Sequence, residues 1–143
     1  MKNTVNKIAV QFPSKSQNEA LARSVVSAFL LPLDPTVDEI ADIRCVVSEA
    51  VTNCIVHAYK NEVGKIRMEA VIYDDKTVRI TITDNGCGIE DIARAREPLF
   101  TTDTSGDRSG MGFAIMESFC DKVKIKSSVG KGTKITLIKK LSS

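Results

Sequence analysis

Glu49, Asn53 and His57 recur every four residues within an apolar-periodic stretch of the chain. At about 100° per helical residue they step by about 40° each and form one stripe. A carboxylate, an amide and an imidazole are thereby aligned on a helix flank. The amide of Asn53 offers a neutral oxygen for a hard cation such as Mg²⁺. A carboxylate one turn earlier, at Glu49, is placed to deprotonate a nucleophile beside that ion. A polar shoulder that merely solvates the flank also fits the stripe, although Asn is a mediocre helix former in a helix interior.

Two glycine-rich segments follow. Asp84-Asn85-Gly86-Cys87-Gly88-Ile89 comes directly after an alternating apolar run. Its glycines let the backbone approach a flat or charged ligand closely. Asp84 is a pure acceptor suited to an exocyclic amine such as that of adenine. An Asp-Asn-Gly turn is itself a common loop device, so a plain turn and a ligand loop both remain open here. Gly106-Asp107-Arg108-Ser109-Gly110-Met111-Gly112-Phe113 precedes a helical pattern. Free amides at a helix start reached through small residues make a phosphate site, and Arg108 adds a charge able to follow a transferring phosphoryl group. The dinucleotide fingerprint fails because Asp91 stands where its third glycine is needed, and no Walker A loop occurs.

The elements that must position these residues follow from periodicity. Residues 5–12, with Ile8, Val10 and Phe12 alternating, predict a strand ended by Pro13. Ser16-Gln17-Asn18-Glu19 has the form of a capping box and opens a helix to about Leu31, with Leu21, Val25, Ala28 and Phe29 on its apolar side. Thr36-Val37-Asp38-Glu39 is a second capping box, opening a long helix to about Tyr59. On that helix Ile40, Ile43, Val47, Ala50, Val51 and Cys54 fall in one arc of roughly 100°. Ile66, Met68, Ala70 and Ile72, then Val78, Ile80 and Ile82, predict an antiparallel hairpin turning at residues 73–77. Residues 84–110 read as loop with one short helix near Asp91–Arg96. A helix from about Gly112 to Cys120 and strands at 122–128 and 133–140 complete the chain. The order predicts an α+β fold, a two-layer sandwich with helices on one face of a mixed, mostly antiparallel sheet.

Composition bounds the function. The 143 residues predict a single domain over 1–143, and 43% hydrophobic against 27% charged residues is ordinary for a soluble globular protein. Twenty Lys and Arg against 18 Asp and Glu leave +2, which argues against a dedicated nucleic-acid or membrane-surface binder. Aromatics at 5%, without Trp, argue against a stacking platform for single strands. No apolar run approaches the ~20 residues of a membrane helix, and the N-terminus lacks the apolar core of a signal peptide. Cys45, Cys54, Cys87 and Cys120 are widely spaced and accompany one His, a poor zinc pattern; reduced thiols in the cytoplasm are expected. Lys122, Lys124 and Lys126 alternate with Val123 and Ile125 and read as a solvated sheet face or protected edge, or as a patch for an acidic partner.

Taken in order, these motifs resemble the GHKL ATP-binding superfamily of gyrase, Hsp90, histidine kinase and MutL. Glu49-x-x-x-Asn53-x-x-x-His57 looks like its N box, Asp84-x-Gly86-x-Gly88 like its adenine-binding loop, Gly110-x-Gly112 like its second glycine motif, and Gly130-Lys131-Gly132-Thr133 like its last glycine turn. Ser48-Glu49-Ala50-Val51-Thr52-Asn53, Glu97-Pro98-Leu99-Phe100-Thr101-Thr102 and Arg108-Ser109-Gly110-Met111-Gly112-Phe113 are similar to the anti-sigma serine kinases of Gram-positive bacteria, and Leu33-Asp34-Pro35-Thr36 is most like their sporulation branch. The resemblance implies the GHKL (Bergerat) fold, ATP and Mg²⁺ as cofactors, and a homodimer that binds a sigma factor of F type and phosphorylates a Ser of an anti-anti-sigma partner. It implies Mg²⁺ ligation by Asn53, activation of the acceptor hydroxyl by Glu49, and adenine binding by Asp84 with Thr133 nearby through water. Gly86 and Gly88 would lie against the base. Thr101, Thr102, Ser109, Gly110, Met111 and Gly112 would surround the phosphates under a lid at 98–109, and Arg108 would meet the γ-phosphate. His57 would support the site or pack the helix end, and Arg23 is a candidate for sigma binding. The general-stress branch, with the same chemistry, and a non-catalytic ATP-sensing module are the rival readings. A histidine-kinase fragment would need a phosphoacceptor domain and a gyrase- or MutL-type ATPase a transducer domain.

Overall fold

Two strands made almost entirely of alternating apolar residues form the middle of the sheet. The computed structural model describes residues 2–59, 62–88 and 112–142. In chain order these form β1 (Thr4–Pro13), α1 (Gln17–Leu30), α2 (Val37–Asn53), β2 (Lys65–Tyr73), β3 (Thr77–Asp84), α3 (Gly112–Phe119), β4 (Lys122–Ser128) and β5 (Gly132–Lys140), with a short 3₁₀ turn at Leu31–Leu33 and a π-helical turn at Cys54–Ala58. The expected short helix near Asp91–Arg96 and the lid lie outside the described residues. The strand order is β1-β2-β3-β5-β4, and all four described pairings are antiparallel.

Ile66, Met68, Ala70 and Ile72 of β2, Val78, Ile80 and Ile82 of β3, and Ile135 and Leu137 of β5 join one buried cluster with Val26, Leu30, Ile43, Val47, Val51 and Met116 from the helices. The helices therefore cover one sheet face, as the alternation predicts. The opposite face is an open polar groove lined by Arg67, Arg79, Lys124, Lys126 and Lys134, among others. At its centre Glu69 meets Lys7, Arg67 and Arg79. Burial pushes the Glu69 carboxyl up, and these three cations outweigh it, so the group rests below its usual value. β4 is an edge strand with Lys122, Lys124 and Lys126 exposed, the arrangement that discourages edge pairing.

Local signals account for the turns. Thr36 caps α2 as expected: its hydroxyl accepts from Glu39 N at 3.1 Å and the Glu39 carboxylate accepts from Thr36 N at 2.9 Å. Lys76, at φ 66°, turns the β2–β3 hairpin while Asp75 accepts from Thr77 N. Three expectations need correction. Ser16 does not cap α1, because it already has helical angles and its hydroxyl bonds no amide; Glu19 instead accepts from the Ser48 hydroxyl and pairs with Arg23 at 2.9 Å. The buried side of α1 is Ala22, Val26, Phe29 and Leu30, whereas Leu21 and Ala28 are exposed. Apolar residues occur nearly all round α1, so the sheet and α2 select the face. Finally, the long helix stays α-helical only to Asn53.

Candidate nucleotide site

β3 delivers Asp84 to the end of the sheet opposite Thr133 of β5. The carboxylate is buried, at 4% exposure, and a buried carboxylate is costly unless donors surround it. Oδ1 accepts from Gly86 N at 2.9 Å and from Thr133 N at 3.2 Å, and Oδ2 accepts from the Cys54 thiol at 3.3 Å. Thr133 thus reaches Asp84 directly through its main chain; its hydroxyl lies 2.9 Å from that of Ser127.

The π turn at the end of α2 meets the loop after β3. Its last main-chain carbonyls, like those at any helix end, have no partner within the helix. The Ala58 carbonyl accepts from Cys87 N at 3.0 Å and the His57 carbonyl accepts from the Cys87 thiol at 3.2 Å. Gly86 is needed for this approach, since a Cβ there would lie 2.3 Å from Ala58 O. Gly132 is needed on the other side: its φ is +113°, and a Cβ would lie 2.1 Å from Asp84 O. Tyr59 ties the loop down. Its buried hydroxyl accepts from Asn85 N at 2.6 Å and donates to Lys65 O at 2.7 Å. Burial raises the phenol above its ordinary value.

Glu49 and Asn53 stand one turn apart on α2, both half-buried. Beyond Asn53 the π turn advances less than about 100° per residue, so the simple wheel arithmetic that aligned His57 with them no longer holds. The Asn53 side-chain nitrogen is fully buried and has no hydrogen-bond partner among the described residues. A buried amide donor left unmet is costly, and Asn53 directly precedes the Cys54 thiol that touches Asp84. An orphan donor, glycines that admit no Cβ and a buried acceptor at the sheet end fit a nucleotide, whose oxygens can accept from that donor; a cation would be held by the amide oxygen of Asn53, not by its nitrogen.

The structure thus brings Asn53, Asp84, Gly86 and Thr133 around one sheet end, with Glu49 and Gly88 beside them. Gly112 begins α3, which packs on α2. Thr101, Thr102, Arg108, Ser109, Gly110 and Met111 lie outside the described residues. Arg23 is on α1, half-buried against Glu19, whose carboxylate also accepts from the Ser48 hydroxyl of α2. Sequence reasoning missed Tyr59 and Cys54 as site residues. Tyr59 carried no motif, and Cys54 read as a core residue, which by burial it is. Cys45, Cys54, Cys87 and Cys120 are all free thiols. No helix among the described residues is long and apolar enough to cross a membrane.

Comparison with known proteins sets this geometry in a class. Residues 12–139 match the family model of the histidine kinase-like ATPase domain. The anti-sigma F factor of Caldanaerobacter subterraneus subsp. tengcongensis is 52% identical over 134 residues, covering 94% of this chain and 93% of that protein. The anti-sigma F factors of Anoxybacillus flavithermus and Clostridium beijerinckii are each 51% identical, over 96% of this chain and 94% and 96% of their own lengths. The chain belongs to the histidine kinase-like ATPase domain family, in the group of the anti-sigma F factors. Two solved structures share the fold. The RsbU and RsbW domains of a Mycobacterium tuberculosis protein superpose with a TM-score of 0.72 at 22% identity, over 97% of this chain and 33% of that one. A blue-light activated histidine kinase of Erythrobacter litoralis gives 0.60 at 23%, over 76% and 32%.

Proposed function

We propose that this chain is an anti-sigma factor of F type and an ATP-dependent protein serine kinase. With ATP bound it sequesters a sporulation sigma factor; it inactivates an anti-anti-sigma partner by phosphorylating a Ser of that protein. It acts as a single-domain homodimer in the cytoplasm. The observation that carries the reading is the buried Asp84 carboxylate at the sheet end, held by the Gly86 and Thr133 amides beside glycines that admit no Cβ. The near-full-length likeness to anti-sigma F factors supports the sigma partner.

Each residue then has a task. Asp84 accepts from the amino group of adenine, and Gly86 and Gly88 let the loop lie against the base. Asn53 would hold Mg²⁺ through its amide oxygen, and the ion would offset the charge of the phosphates. Thr101, Thr102, Ser109, Gly110, Met111 and Gly112 hold the phosphates through amides and hydroxyls. The γ-phosphoryl group of ATP, the substrate, would pass to the Ser oxygen as its bond to the bridging oxygen breaks, and ADP would leave. Glu49 takes the proton of the acceptor Ser hydroxyl, and Arg108 faces the charge on the phosphoryl oxygens. Little covalent chemistry is asked of the protein, because phosphoryl transfer depends mainly on position and charge stabilisation.

Incubation with γ-labelled ATP and an anti-anti-sigma protein tests this. Label should appear on Ser with the wild type and fall about 10²–10⁴-fold in Glu49→Gln, with ATP binding retained. A wild type that binds ATP and sigma factor without labelling the partner would be the non-catalytic ATP-sensing module instead.

A further inference from the structure

The Cys54 thiol is buried at 2% exposure and directed at a carboxylate. A carboxylate offers about four lone-pair positions. Both on Asp84 Oδ1 are taken, by Gly86 N and Thr133 N, and one on Oδ2 is taken by the thiol. One position is left. We propose that Cys54 is a positioning residue for the base: by occupying one lone pair of Asp84 Oδ2 it leaves a single acceptor position, and so sets selection of a 6-aminopurine over a 6-oxopurine. The inference rests on the reading that Asp84 faces the base of ATP.

The chemistry runs in one direction. The Cys54 thiol donates and Asp84 Oδ2 accepts. With Oδ1 fixed between two main-chain amides and Oδ2 held by sulfur, the carboxylate cannot rotate. Its remaining lone pair meets one N–H of a 6-amino group and repels a 6-oxo oxygen. Without the thiol, Oδ2 gains a second open position and the space of a sulfur atom. Water, or the ring N–H of a 6-oxopurine, can then be accommodated there, and the preference weakens.

Calorimetric titration of ATP and ITP into wild type, Cys54→Ala and Cys54→Ser, with thermal unfolding of each, tests the assignment. A carboxylate no longer held by the thiol weakens the hydrogen bond it accepts from the base, which predicts an ATP Kd raised up to about tenfold in Cys54→Ala. The ITP Kd should be unchanged or lower, so that the ATP/ITP preference falls at least as far. Ser, which keeps a donor, should restore the preference. The wild-type protein gives a second readout that needs no folded Ala variant: an S–H stretching band shifted below that of Cys87, whose thiol meets a neutral carbonyl, and absent from Cys54→Ser. An ATP/ITP preference unaltered in Cys54→Ala, or no shifted band, overturns the role of Cys54 while leaving ATP binding intact. A wild type that binds neither nucleotide overturns the nucleotide reading itself.

Discussion

Asp84 is the residue on which the site turns, because four groups converge on one buried carboxylate if the base is counted with Gly86, Thr133 and Cys54. Asp84→Asn keeps an oxygen for the two amides but presents an NH₂ to the amine it should receive. ATP affinity should drop roughly 10–100-fold, an unmet buried donor costing about 1–3 kcal/mol; titration calorimetry reads it. Asn53→Ala should instead abolish the Mg²⁺ dependence of ATP affinity, measured by titrating with and without the ion. At this scale the sequence was informative where a residue type has few other uses: Asn in a helix interior, Asp at a strand end, Gly pairs. It was silent on Tyr59 and Cys54, since a tyrosine that bridges two main-chain groups and a cysteine that donates to Asp84 look in sequence like any core residue.

At the level of elements, the β-hairpins, α2 and the cap at Thr36 were legible because period-two alternation and a capping box act locally. The face of α1 and the π turn were not. Each is decided by what packs against it, and the π turn is fixed by the Cys87 loop that uses the His57 and Ala58 carbonyls. Tyr59→Phe removes the acceptor of Asn85 N and the donor to Lys65 O, so it should lower stability by about 1–3 kcal/mol and loosen the loop; denaturant unfolding and ATP titration check both. The C-terminal end is tied to α2 by the Glu39 carboxylate, which accepts from Ser142 N at 2.6 Å. Bonds from Ser142 and Thr36 hold that carboxyl below its ordinary 4.5. A folded value below the unfolded one stabilises above the unfolded value and is lost as pH falls through the folded one. Unfolding free energy measured down from pH 7 should therefore decline below about pH 4.5, and Glu39→Gln should flatten part of that decline.

For the whole molecule, a near-neutral net charge and a sheet with one covered face point to regulation through protein partners. Val5 of β1 and Leu21 of α1 remain exposed, at 64% and 51%. Single exposed apolar residues are ordinary on a protein surface; in the homodimer proposed above, Leu21 of α1 is the candidate contact. Leu21→Asp should convert a dimer to monomer in sedimentation without moving the unfolding midpoint by more than a few degrees. The central claim, that nucleotide at Asp84 governs capture of a sigma factor, is tested most directly by co-elution with an F-type sigma factor in Mg²⁺-ATP. The wild type should co-elute with it and Asp84→Asn should not, at nucleotide concentrations that saturate only the wild type. Equal co-elution by both proteins, or none by the wild type, would contradict the account.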